Sequence, residues 1–191
     1  LSGNKRWLNE FLERYPKEVG LPFRVMGHPL LLQKDLPKKL KAAGIHHLQM
    51  GIESINPEVR NKILQRDETD EQIIRALDNL EEAGVHFSAD LIVGLPGESE
   101  EDLVKAVRIL SRYKNLIRAS IFWLQYLPEV DITKDALSNE LIDRANIKMM
   151  VQGEQQNYLS TGSPMEKDRQ RILKTYHILF RLLPITSERT M

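Results

Sequence analysis

Apolar residues recur at helical spacing in four stretches of the chain. They are Trp7, Leu8, Phe11, Leu12 and Tyr15; Leu36, Leu40 and Ala43; Ile73, Leu77 and Leu80; and Leu103, Ala106, Val107 and Leu110. Each set follows the three/four period that puts side chains on one helix face. Between them lie short runs of strand character, at Phe23–Met26, His47–Ile52, Phe87–Val93 and Ala119–Tyr126. The run Leu40-Lys-Ala-Ala-Gly44-Ile-His46 returns forty positions on as Leu80-Glu-Glu-Ala-Gly84-Val-His86. Each copy ends a helix at a glycine, suited to the left-handed position after the last turn, and then enters a strand. A repeated helix–strand unit predicts an α/β fold with a mostly parallel sheet, its strands joined by helical crossovers. The last third is different. Leu137, Leu141, Ala145 and Met149 predict one helix, and Ile172, Tyr176, Leu179 and Leu183 another that stops at Pro184. Gly162-Ser-Pro164 reads as the link between them. The division expected is 1–128 for the sheet domain and 129–191 for a helical C-terminal extension packed on it.

Alternate strand residues share a face. Leu48, Met50 and Ile52 face one way, with His47, Gln49 and Glu53 opposite; Phe87, Ala89, Leu91 and Val93 face one way, with Ser88, Asp90 and Ile92 opposite. A parallel strand covered on both sides is apolar on both. Asp90, within Ala-Asp-Leu-Ile-Val, breaks that rule. A buried carboxylate needs partners or a wet cleft. Either Asp90 is a structural acceptor, paired with backbone or with a base such as Arg118, or Glu53 and Asp90 overhang a ligand site at the carboxyl ends of neighbouring strands, where parallel α/β folds bind ligands. Carboxylates there accept hydrogen bonds from ribose hydroxyls or an ammonium group. Gly94-Leu-Pro-Gly97-Glu98-Ser99 makes a tight turn into a helix, with Ser99 and Asp102 spaced as a cap. It is not a dinucleotide fingerprint and carries no phosphate-binding lysine.

Composition narrows the classes. In 191 residues, Lys+Arg 27 balances Asp+Glu 27, so the formal net charge is +0. That excludes a nucleic-acid binder relying on an overall basic field. No apolar run approaches the ~18 residues of a membrane span, and no signal peptide opens the chain, so the cytoplasm is expected. The chain is shorter than a complete eight-unit β/α barrel, which takes about 250 residues. It has no cysteine, and hence no thiolate for zinc, an iron–sulfur cluster or nucleophilic catalysis. The five histidines show no zinc-type spacing; His46 and His47, being adjacent, are expected on opposite strand faces.

Four ordered segments together resemble the later part of a radical S-adenosylmethionine enzyme. They are Met50-Gly-Ile-Glu-Ser54, Asn56-Pro-Glu-Val-Arg60, Ile63-Leu-Gln-Arg66-Asp-Glu-Thr69, and Asp90-Leu-Ile-Val-Gly-Leu-Pro-Gly-Glu98-Ser-Glu-Glu-Asp102. The resemblance covers roughly residues 5–128. It is closest to the Fe–S oxidoreductases and anaerobic magnesium-protoporphyrin IX monomethyl ester oxidative cyclases, whose barrel often follows a cobalamin domain. It implies a partial (β/α) barrel, about strands three to six of six, with S-adenosylmethionine across the carboxyl ends. By the same resemblance, Glu53 and Ser54 lie where the cofactor's ribose or methionine end is held. Arg66 meets the methionine carboxylate, Asp90 reaches the ribose, and Gly94, Pro96 and Gly97 border the adenine. The family holds a 4Fe–4S cluster on three cysteines after its first strand. Their absence here places the cluster loop, the first strands and any cobalamin domain upstream of Leu1.

The parent enzyme so implied cleaves S-adenosylmethionine reductively and abstracts hydrogen from a small-molecule substrate by a radical. This chain would supply half the pocket, no catalytic residue and no metal ligand, and be inactive alone. The alternatives are a cluster-free α/β enzyme or nucleotide binder using Glu53 and Asp90 as acid and base, and a non-catalytic scaffold. Two departures stand out: Met26-Gly-His28 lacks an acid common in the family, and Tyr126-Leu-Pro-Glu-Val-Asp131 replaces a Pro-Gly-Thr turn. The expected partners are the substrate, the upstream polypeptide and, through the free edge of the first strand, a second molecule or the chain's own tail helices.

Overall fold

A computed structural model describes residues 3–32, 35–154 and 165–186. Its centre is a four-stranded, wholly parallel sheet in the order β1-β2-β3-β4. The strands are β1 (Phe23–Gly27), β2 (Ile45–Glu53), β3 (Phe87–Val93) and β4 (Leu116–Trp123). Helices α1 (Lys5–Glu18), α2 (Leu36–Ala42), α3 (Asp70–Glu82) and α4 (Glu100–Leu110) precede or link them. The tail forms α5 (Asp131–Ser138), α6 (Arg144–Val151) and α7 (Lys167–Thr186). This is the expected incomplete β/α barrel with a helical C-terminal extension.

The two sheet faces divide as the alternation requires. Leu48, Met50, Ile52, Phe87, Ala89, Leu91 and Val93 are buried against the helix stripes of Leu40, Ile73, Leu77, Leu80, Leu103 and Leu110. Each such Leu, Ile or Phe contributes about 1.5–3 kcal/mol. Local signals fix the helix ends: Thr69 with Gln72 and Ser99 with Asp102 both close reciprocal capping boxes. Gly44 and Gly84 hold φ of 93° and 63°, the left-handed positions that the repeat demanded. The opposite face stays open, with Arg24, Met26 and Phe122 exposed. Beyond the strand ends a second apolar cluster gathers Val59, Leu95, Leu124, Tyr126, Ala136 and Ile142.

The tail departs from expectation in four respects. The single helix through Leu137 and Met149 is broken at Glu140, which takes φ 55°, and Asp143 caps a new helix by accepting from Asn146 N at 2.7 Å. Pro184 does not stop the last helix, which continues to Thr186 while Phe180 and Leu183 anchor it in the core. The buried stripe is Leu173, Phe180 and Leu183, with Leu179 half exposed. Among the described residues, the tail does not cover the first strand: α7 packs against β4 and α4, at the other edge of the sheet. Phe23 of β1 instead meets the rings of Phe11 and Tyr15 from α1. The Gly162–Pro164 link lies outside the described residues.

One side chain orders the connection from β2 to α3. Arg60, fully buried, sits in a short π-turn at Val59–Ile63. It donates to Ser54 O at 2.9 Å, Glu68 O at 3.2 Å and Asp70 Oδ1 at 2.5 Å. Lys105 meets the other Asp70 oxygen at 2.6 Å. Burial pushes the Asp70 carboxyl up, but the hydrogen bonds from Lys105 and Arg60 outweigh it and hold the group below its ordinary value. Arg60→Met strands these acceptors. It should destabilise the fold by about 3–5 kcal/mol, the cost of removing one partner of a buried ion pair. Denaturant unfolding measures this; an unchanged midpoint would show that the clamp is dispensable.

Candidate functional site

Glu53, the last residue of β2, has φ 65°. A side-chain-bearing residue in this region carries about 1–2 kcal/mol of backbone strain. The conformation folds its side chain back over the open face. A Cβ placed on Gly51 would collide with Glu53 Oε1, so the missing side chain at Gly51 makes room for the carboxylate. Gly51 is in register with Asp90 on β3. The two acids are thus brought side by side, as the alternation suggested. Burial raises the Glu53 pKa; Arg66 opposes the rise, while Asp90 and Glu68 add to it.

Asp90 is buried and accepts from Gln49 Nε2 at 2.5 Å. Its other oxygen, Oδ1, is buried with no hydrogen-bond partner. Arg118, the base offered in one of the two alternatives, makes no ion pair with Asp90 among the described residues; a neutral amide from the neighbouring strand pairs with it instead.

Arg66 comes from the loop that Arg60 secures, its own N–H bonded to Arg60 O at 2.9 Å. Its guanidinium donates to Glu68 Oε1 at 2.5 Å and Gly51 O at 2.8 Å, and lies 3.1 Å from His28 Nε2. Nη1 points toward Glu53 Oε1 at 3.8 Å, beyond hydrogen-bond reach. Glu68 is buried beside it, with Oε2 unsatisfied. Burial and then Arg66 lower the His28 pKa, partly offset by Glu68, so this imidazole is neutral at neutral pH.

The remaining candidates lie elsewhere. Ser54 is buried; its hydroxyl accepts from Asn56 N and its carbonyl takes Arg60. Gly94, Pro96 and Gly97 line a separate hollow of ≈ 450 Å³ with Leu124, Tyr126 and Arg169, and neither Glu53 nor Asp90 borders it. The polar hollow below Asp90, ≈ 370 Å³, is lined by Arg24, His46, His47, Gln49, Ser88, Arg118 and Ser120 among others. A bulge at His46, where the β1–β2 register shifts, lets both adjacent histidines border it, contrary to expectation. Another hollow, ≈ 770 Å³ between β4 and α7, shares Arg118 and Ser120 with it and is lined by no carboxylate among the described residues.

Sequence reasoning missed Glu68, His28 and Glu98. Glu98 immediately follows the Gly94–Gly97 turn and accepts from Gly94 N at 2.9 Å. Burial pushes its pKa from 4.5 up to about 7, against the Gly94 hydrogen bond and the nearby Arg169. Among the described residues, no His, Asp or Glu group could hold a metal ion, and no helix is long and apolar enough to cross a membrane.

Two outcomes follow from these environments. Gly51→Ala should displace the Glu53 carboxylate toward solvent and lower its pKa toward the ordinary value, read by carboxyl carbon NMR titration; an unmoved pKa would refute the fold-back. For Glu98, the folded state keeps its proton longer than the unfolded chain. Its contribution to stability therefore falls as pH rises from 4.5 to about 7 and is flat above. Glu98→Gln should remove that slope from the pH dependence of the unfolding midpoint.

Comparison with known proteins places this geometry. The radical SAM superfamily model matches residues 5–110. The heme chaperone HemW of Buchnera aphidicola subsp. Schizaphis graminum (strain Sg) is 23% identical over 154 residues, covering 80% of this chain and 40% of that protein. Three solved structures share the fold. Coproporphyrinogen III oxidase (HemN) from Escherichia coli, described as a radical SAM enzyme, has TM-score 0.53 and 21% identity, over 72% of this chain and 37% of its own. Archaeal Elp3 of Methanocaldococcus infernus, lacking its N-terminus, has TM-score 0.54 and 17% identity, over 82% and 32%. The radical S-adenosylmethionine methyltransferase TsrM from Kitasatospora setae, solved with cobalamin and a 4Fe–4S cluster, has TM-score 0.51 and 21% identity, over 62% and 24%. The chain thus spans less than half the length of each. With the family match over more than half its residues, and a parallel sheet whose open face carries paired acids, this chain belongs to the radical SAM superfamily.

Proposed function

We propose that this chain forms part of the S-adenosylmethionine pocket of a radical SAM enzyme, contributing binding groups and no cluster ligands. The observation that carries the reading is the unsatisfied, buried Oδ1 of Asp90 beside a strained Glu53 at the carboxyl end of β2. A carboxylate oxygen left without a donor costs about 1–3 kcal/mol or more, and a ribose hydroxyl supplies that donor. Glu53, alongside, accepts from a second hydroxyl or from the methionine ammonium. Arg66 Nη1, which makes no hydrogen bond among the described residues, would meet the methionine carboxylate. Gly94, Pro96 and Gly97 would border the adenine from the next strand end. S-adenosylmethionine fits this donor set, and when bound in the complete enzyme it supplies the radical that attacks the substrate. A 4Fe–4S cluster does not fit, because the chain holds no cysteine. The chain's own residues bind and orient.

The finer kinship we infer, to the Fe–S oxidoreductases and the magnesium-protoporphyrin cyclase group with a cobalamin-associated parent, rests on the ordered segments between Met50 and Asp102. Its support from relatives is indirect: one is named as a coproporphyrinogen oxidase and another was solved with cobalamin. The alternative in which Glu53 and Asp90 work as acid and base gains nothing from Gln49, which holds Asp90 as an acceptor.

Calorimetric titration of the chain with S-adenosylmethionine, S-adenosylhomocysteine and 5′-deoxyadenosine tests the proposal. Binding should be detectable, and Asp90→Asn should weaken it about tenfold, the loss of one charge-assisted hydrogen bond of roughly 1.4 kcal/mol. Failure to bind any of the three, or an Asp90→Asn chain with unaltered affinity, would overturn the reading. Reconstitution with iron and sulfide should leave the chain colourless.

A further inference from the structure

The amino-terminal half of the open face carries a different set of unsatisfied groups. Arg24 on β1 donates through Nε to His47 Nδ1 at 3.1 Å. A nitrogen that accepts has no proton, so the neutral ring carries its hydrogen on Nε2. That Nε2 is buried and has no partner, and His47 is only 6% exposed. A buried donor without an acceptor is costly. His47 lines the ≈ 370 Å³ hollow together with Arg24, Arg118, Ser88, Ser120 and Gln49, and no carboxylate lines it. Among the described residues, neither Arg24 nor Arg118 makes an ion pair.

Register brings these groups to one place. Arg24 pairs with His47, and Arg118 on β4 pairs with Ser88. Two guanidinium-bearing residues thus flank a hollow bordered by His47, whose buried Nε2 is unpartnered, and by two hydroxyl-bearing residues. Asp90 stands one layer nearer the carboxyl ends, in register with Ser120, its satisfied oxygen turned to Gln49. Burial, then Arg24, lowers the His47 pKa, which keeps the ring a neutral donor. Cations uncompensated by acids, together with an orphaned donor, are complementary to an oxyanion, for which guanidinium forks supply paired hydrogen bonds.

We propose that this hollow is a binding site for an oxyanion, the carboxylate or phosphoryl group of a small molecule, held between Arg24 and Arg118 and capped by the His47 Nε2 hydrogen. The site shares no residue with the Glu53, Arg66 and Asp90 set, so either proposal can fail alone.

The test is a titration of the full chain, with labelled histidine, by inorganic phosphate and in parallel by acetate, each against potassium chloride at matched ionic strength. The His47 imidazole resonances should shift saturably with at least one oxyanion; which one responds distinguishes a phosphoryl from a carboxylate ligand. Replacing Arg24 and Arg118 together by alanine should weaken the response about tenfold or more, as expected for losing charge-assisted hydrogen bonds. Arg171→Ala, which removes an exposed cation of α7, should leave it unchanged. Single Arg24→Lys and Arg118→Lys variants, which keep the charge and lose the fork, should weaken binding and serve if the double variant does not fold. A His47 shift that chloride reproduces, one indifferent to the arginine changes, or no shift with either anion would overturn the proposal.

Discussion

The buried guanidinium of Arg60 is the constraint on which the rest of the site depends. It has no contact with solvent, and it ties the end of β2, through Ser54 O, to the start of α3, through Glu68 O and Asp70. The segment between these ties would otherwise be a loop with many conformations. Held at both ends, it delivers Arg66 and Glu68 beneath the strand ends with little freedom left. A buried ion pair adds little net stability over an apolar substitute, so its value lies in specifying one arrangement.

That arrangement is electrostatically layered. At the carboxyl ends of the strands, Glu53 and Glu68 face one guanidinium, Arg66, Glu68 also faces the neutral His28, and Asp90 stands alongside on β3, held by Gln49. Toward the amino ends, Arg24 and Arg118 have no acidic counterpart among the described residues. The open face therefore changes from acid-rich to base-rich over a few residues of strand. Both halves leave buried polar atoms idle, Asp90 Oδ1 above and His47 Nε2 below. Such atoms are uncommon in native proteins and call for an explanation each time they occur. A sheet needing only to be folded would cover this face with apolar groups, as it does on the other side.

The strained backbone at Glu53 and the bare Cα of Gly51 form one device. The left-handed turn at the strand's last residue swings a carboxylate back onto the face, and the glycine two residues earlier leaves it space. Strain held at a binding position by surrounding structure is a recurrent feature of functional sites. Here the surrounding structure is Arg66 and the parallel ladder to β3.

The sequence by itself determined the parallel α/β fold, the helix–strand repeat, the division of each strand into an apolar and a polar face, and the absence of thiolates. These follow from period-2 and period-3.6 patterns and from composition, all readable locally. It also singled out Asp90, because a carboxylate in an apolar strand is anomalous wherever the strand lies. Only the tertiary structure decided that Arg60 is buried while Arg66 reaches the site, that Asp90 takes Gln49 rather than Arg118, that α7 lies on β4 rather than on the first strand, and that Pro184 is carried inside a helix. Long, flexible side chains choose among partners by distance in space. A helix continues past its breaker when burial of residues such as Phe180 and Leu183 outweighs the lost hydrogen bond. Neither balance is encoded within a few residues of chain.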